Sequence, residues 1–142
     1  MDNEIFPRDG FRFKNRFSWQ KNIRGSDREF TTYGTEFTLY KSFLSRRNLV
    51  FATRLGTELV RGNYDFFFTP ALGEDENIRG LFGQRFRGAT NFFHTTDLRL
   101  GLGVVRNSIL PFSFEVTASF DYERVWEPEE DSNVWHLSLI HI

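Results

Sequence analysis

Between Leu110 and Trp126 the chain alternates almost without a break. Phe112, Phe114, Val116, Ala118, Phe120 and Tyr122 share one parity, and Ser113, Glu115, Thr117, Ser119, Asp121 and Glu123 the other. A period of two separates the sets onto opposite faces of an extended strand, whereas a helix would need a period near 3.6. The pattern recurs along the chain. Phe11, Phe13, Phe17 and Trp19 oppose Arg12, Lys14, Arg16, Ser18 and Gln20. Tyr33, Phe37, Leu39 and Phe43 oppose Glu36, Thr38 and Ser42, and Leu49, Phe51, Leu55 and Leu59 oppose Arg54, Gly56 and Glu58. Within 89–105, Phe92, Leu98, Leu100 and Leu102 oppose Thr95, Asp97, Arg99 and Gly101. No stretch pairs a helix cap with a matching apolar stripe. The expected fold is all-β, an antiparallel meander of about five long strands.

The connections alternate in length. Ser45-Arg-Arg-Asn48 and Arg106-Asn-Ser108 are short turns, while 21–29, the stretch around 72–88 and the acidic Glu127-Pro-Glu-Glu-Asp-Ser-Asn133 are long. Each strand exceeds the ~5–6 residues usual in globular sheets and suits a tilted crossing of a bilayer, for which ~9–11 residues suffice. One face is rich in phenylalanine and the other carries charges of both signs. A transmembrane barrel needs that combination, with lipid outside and water or packed polar groups inside. A soluble barrel or sandwich with the rings pointing inward fits the same periodicity.

Composition narrows the function classes. The 18 Phe, 3 Trp and 4 Tyr are far more aromatic residues than an ordinary soluble domain carries. Eighteen basic and 19 acidic residues are mixed throughout for a net charge of −1, which supplies no field for nucleic acid. Cysteine is absent, and the three histidines, His94, His136 and His141, lack metal-ligand spacing. His94, beside Phe92 and Phe93, reads as an interfacial girdle residue. No apolar run approaches the ~20 residues of a spanning helix, and the first residues do not form a secretory signal. A fragment of a longer protein is expected.

The long stretch Leu72–Gly88 contains glycines at 73, 80, 83 and 88 and Arg79 between apolar neighbours. It suits a compact tongue, although its residue types alone favour a solvated hairpin loop with Arg79 facing water. Asn77-Ile-Arg-Gly-Leu-Phe82 resembles the Val-Arg-Gly-Phe/Tyr motif in the inward-folded loop of the BamA/TamA outer-membrane superfamily, the bacterial surface antigen family. Thr96-Asp-Leu-Arg-Leu100 is similar to that family's Glu-Leu-Arg strand, and Phe120-Asp-Tyr-Glu-Arg-Val-Trp126 to its Phe-x-Asp-x-Gly-x-Val-Trp strand. The opening Phe6-Pro-Arg-Asp-Gly-Phe11 is similar to its Pro-x-x-Gly turn. The chain departs from the pattern at Glu74 and at Glu123, where the family has glycine.

This resemblance implies part of an outer-membrane barrel, in its carboxy-proximal region, that inserts barrels or translocates polypeptides. It implies a Gram-negative outer membrane, with lipid, client polypeptides or unfolded barrel proteins and accessory assembly subunits as partners. It also implies a loop motif of Ile78, Arg79, Gly80, Leu81 and Phe82 entering the lumen, where Arg79 pairs with Asp121 and with Asp97. No cofactor, metal site or catalytic constellation is expected. The acidic runs at 74–76 and 129–131 lack an ordered calcium-ligand pattern. The other readings are a passive outer-membrane channel or adhesion barrel, and a soluble ligand-binding β-barrel. The barrel is expected over 1–136. The tail 137–142, Leu-Ser-Leu-Ile-His-Ile, resembles the translation of a sequencing-library adapter and is set aside from fold reasoning.

Overall fold

The computed structural model describes residues 7–23, 28–43, 49–72, 86–105, 112–127 and 135–141. The eight strands among them are β1 (Gly10–Lys21), β2 (Glu29–Phe43), β3 (Leu49–Gly62), β4 (Ala71–Leu72), β5 (Phe86–Arg87), β6 (Thr90–Val105), β7 (Phe112–Trp126) and β8 (His136–His141). Apart from a single 3-10 turn at Phe66–Phe68, the described residues contain no helix. Six strands form one sheet in the order β1-β2-β3-β6-β7-β8, each pair antiparallel, and β4 and β5 form a separate two-stranded hairpin. The sheet is an open meander, a partial barrel with β1 and β8 at its two edges.

Five of these strands are the long ones expected from the alternation. The sixth, β8, takes most of its residues from 137–142 and pairs with Ala118–Glu123 of β7. That pairing does not identify where the segment comes from, because a strand edge accepts any extended partner of suitable parity.

Register carries the alternation from strand to strand. Phe13 stands opposite Phe37, Phe37 opposite Leu55, Leu55 opposite His94 and His94 opposite Tyr122. On the other face Lys14 stands opposite Glu36, and Thr95 opposite Asp121. A slip of one residue would exchange these faces, so the aromatic pattern fixes the pairing.

Burial runs opposite to that of a soluble sandwich. Phe13 and Phe17 are 61% and 71% exposed, and Leu98, Phe114 and Phe120 also face outward. Asp121 and Glu123 are each only 1% exposed, and Asp97, Thr38 and Ser119 are buried with them. The described hydrophobic core is correspondingly small, with Phe30, Val60 and Ala89 packed against Tyr64. A water-soluble fold would enclose the rings and solvate the carboxylates. This sheet does the reverse, as a barrel wall in lipid must.

Candidate functional site

The charged side of the sheet is the candidate site. It begins at its long-connection end, where segment 63–72 folds onto the polar face. Phe68 in the 3-10 turn packs against Phe30 in a tilted pair with ring centroids 4.9 Å apart. Thr69 closes the turn by donating from its backbone and its hydroxyl to the Phe66 carbonyl. The adjoining stretch is held by backbone bonds from Asn63 N–H to the Glu29 carbonyl and from Gly88 N–H to the Pro70 carbonyl.

Between these anchors the β4–β5 hairpin brings Ala71 opposite Arg87 and Leu72 opposite Phe86. It forms a neck from which residues 73–85 depart and to which they return. Arg87 braces the neck, donating from Nη1 to the carbonyls of Phe67 at 3.0 Å and Thr69 at 3.1 Å. Gly88 is required at the exit, since a Cβ there would lie 2.3 Å from Val125 Cγ1 and 2.7 Å from the Trp126 carbonyl oxygen. Burial lifts the Tyr64 phenol above its ordinary pKa, and the Glu127 carboxylate adds to the effect.

The neck opens onto a cavity of about 410 Å3 on the polar face, lined by Arg87, Phe67, Lys14, Arg16, Glu36 and Glu58 among others. Its floor is knit by polar pairs. Arg12 Nη2 donates to Glu36 Oε1 at 3.1 Å, and the Glu58 backbone N–H donates to the fully buried Asn91 side chain at 2.9 Å. Phe93 is the one large ring of β6 turned to this side. It is buried against Gly56, where a Cβ would fall 2.5 Å from the ring, and the Arg54 guanidinium lies 5.3 Å from its centroid.

Beyond Phe93 the inner wall becomes acidic. Asp97 lies opposite Ser119 and Asp121 opposite Thr95, so the two carboxylates are diagonal neighbours on one buried face. Asp97 accepts from Arg99 Nη2 at 3.3 Å. Glu123 stands two residues beyond Asp121 and opposite Phe93, with both carboxylate oxygens buried and without a hydrogen bond. Of the residues singled out from sequence, the structure brings Asp97 and Asp121 together. The motif Ile78, Arg79, Gly80, Leu81 and Phe82 lies outside the described residues.

His94 sits on the opposite, ring-bearing face. Its Nε2 is 2.6 Å from Thr53 Oγ1, and its ring meets Tyr122 edge-on at 4.9 Å. Sequence reasoning passed over Phe93, Asn91 and Arg87. The first two share the parity of Asp97, which was the available signal. The role of Arg87 depends on the carbonyls of a turn that no periodicity announces.

Among the described residues no group of three or more His, Asp or Glu is placed to hold a metal ion, and no helix is long and apolar enough to cross a membrane. What this wall can do chemically is hold charge away from water. Buried carboxylates facing a sheltered space are suited to a planar guanidinium.

An exposed aromatic face, a buried acidic face and an inward-turned loop neck define the wall of an outer-membrane-type β-barrel. The chain belongs to the Omp85 superfamily, whose domain matches residues 1–133. Omp85 proteins are outer-membrane proteins of Gram-negative bacteria and organelles and act as non-enzymatic insertion or translocation factors. Comparison with curated proteins found no match.

Proposed function

We propose that this chain is the carboxy-proximal wall of a BamA/TamA-like barrel in a Gram-negative outer membrane, and that the wall serves insertion of barrel proteins or passage of polypeptides. Client polypeptides or unfolded barrel proteins are its substrates, lipid surrounds it, and accessory assembly subunits complete the machine. The work is mechanical, with a braced wall and a loop seated against it. In this reading the segment leaving the β4–β5 neck carries Ile78, Arg79, Gly80, Leu81 and Phe82 into the lumen, where Arg79 pairs with Asp121 and Asp97.

The observation that carries the reading is the position of the neck. The loop starts and ends over the same buried face that holds both carboxylates, beside the cavity lined by Arg87, Lys14 and Arg16. Removing one member of a buried ion pair strands the other, at a cost of about 3–5 kcal/mol. Arg79→Ala and Asp121→Ala in the intact protein should therefore each speed proteolytic cleavage within 73–85 and impair assembly or secretion of clients. Lysine at position 79 should restore little, because it lacks the planar fork. Wild-type activity together with unchanged loop protection in both alanine variants would refute the pairing.

A further inference from the structure

The inner face of β1 carries positive charge that the described residues do not balance. Arg12, Lys14 and Arg16 share the inward parity, and Glu36, which stands opposite Lys14, gives its Oε1 to Arg12 at 3.1 Å. Arg16 stands opposite Gly34, which has no side chain to offer. Lys14 and Arg16 are exposed and form no ion pair with any described residue, while the nearby Glu58 is already engaged. Around the cavity of about 410 Å3, three cations, Lys14, Arg16 and Arg87, therefore meet two carboxylates, Glu36 and Glu58. The surplus is positive, and the group that complements it is an anion.

The same cavity has an apolar rim. Phe67 lines it and is 72% exposed, and Phe66 beside it is 61% exposed, although their turn lies on the charged side of the sheet. Phe67 meets Phe68 edge-on with centroids 6.1 Å apart, which leaves most of its ring uncovered. Apolar surface displayed on a face otherwise built from charged groups marks a contact site. The floor beneath is hollow, since a Cβ at Gly34 would make only ordinary contact, 3.9 Å from Arg16 Cβ and 3.7 Å from Glu58 Cγ. An anion with an apolar neighbour fits this combination. An extended polypeptide supplies the pair at positions i and i+2, whose side chains share one side about 6–7 Å apart. A free inorganic anion would satisfy the cations and leave the rings bare.

We propose that this cavity binds client polypeptide in extended form, taking an acidic side chain on Lys14 and Arg16 and the apolar side chain two residues away on Phe67. The site rests on polypeptides being the clients and adds which segments of them are held.

The test uses the intact protein in neutral detergent and three short synthetic peptides. The first alternates Phe and Glu with serine spacers, and the others replace each Glu by Gln or by Lys. Binding is read by isothermal titration calorimetry, and client assembly or secretion is followed in cells producing the same variants. The wild type should bind the Glu peptide about fivefold more tightly than the Gln peptide, the scale of a solvent-exposed ion pair. The double variant Lys14→Gln, Arg16→Gln should bind the two alike. The double variant Lys14→Glu, Arg16→Glu should prefer the Lys peptide, an inversion that a merely structural role would not produce. Phe67→Ser should weaken all three peptides to a similar degree. Equal affinity of the wild type for the Glu and Gln peptides overturns the proposal, as would follow if the chain's own acidic run at 74–76 filled the cavity. So does a preference that survives in Lys14→Gln, Arg16→Gln. Absence of client assembly and secretion by the wild type would refute the wider function and the site with it, whereas either activity without the acidic preference would refute the site alone.

Discussion

At the scale of single residues, the inner wall is specified by which polar groups are satisfied. Asp97 has Arg99, and the Asn91 amide oxygen accepts the Glu58 backbone N–H, so both offset part of their lost hydration even though Asn91 Nδ2 is buried without a hydrogen bond. Glu123 does not fit that account. It is as buried as Asp121, shares its face two residues away, and neither oxygen is hydrogen-bonded. A carboxyl in that position has lost water without gaining a donor and stands beside a second acid, where two negative charges repel. Glu123→Gln keeps the shape and removes the ionisable group. It should raise stability by about 1–2 kcal/mol, read as a higher denaturant midpoint with an unchanged slope. A lower midpoint would mean that Glu123 accepts a charge-assisted bond from a basic group in the assembled barrel.

Among the elements, the neck joins the sheet to the loop. Its stability rests on few groups, since β4 and β5 pair over two residues each and Arg87 bonds carbonyls on the turn before them. Hydrogen bonds from a charged donor contribute about 1.5–3 kcal/mol. Arg87→Ala should therefore leave the six-stranded sheet intact while opening segment 63–72. Amide exchange at Thr69 and Gly88 would quicken severalfold, and exchange within β2 and β3 would not change. The strands themselves were legible in the sequence, because period-two alternation over long stretches leaves one pairing that keeps Phe13, Phe37 and Leu55 on a common face. The inward-facing positions of Asp97 and Asp121 followed from the same parity. The turn at Phe66–Phe68 was not legible. Three consecutive phenylalanines carry no period, and their placement depends on Phe68 finding Phe30, a contact between the turn and β2. Phe93 escaped for a related reason: an apolar ring on the charged side makes sense only once register sets it over Gly56.

For the molecule as a whole, the decisive property is which side of the sheet meets hydrocarbon, and substitution by depth tests it directly. Phe120 stands three rows in from Trp126 on the outer face, about 20 Å along the strand and ~15 Å in depth at the usual tilt, close to the bilayer midplane. Thr35 stands opposite Asn15 and Thr57 on the same outer face, one step in from Tyr33, which faces Phe17 and Leu59 in the row that ends at Trp126. Arginine at a lipid-facing midplane position costs about 2–4 kcal/mol, and near the interface about 0–1 kcal/mol. Phe120→Arg should thus destabilise the intact protein in lipid vesicles by several kcal/mol, and Thr35→Arg by little, each measured by urea unfolding from the same bilayer. Were the outer face bathed in water, both arginines would be solvated and the two variants would unfold at nearly the same urea concentration. The depth dependence separates a membrane wall from a soluble one because propensity and packing differ little between two exposed strand positions, whereas the dielectric surroundings differ greatly. A midplane penalty that vanishes in detergent too short to match the aromatic band, and returns in bilayers, would tie the cost to hydrocarbon thickness and so to the span between the two ends of these strands.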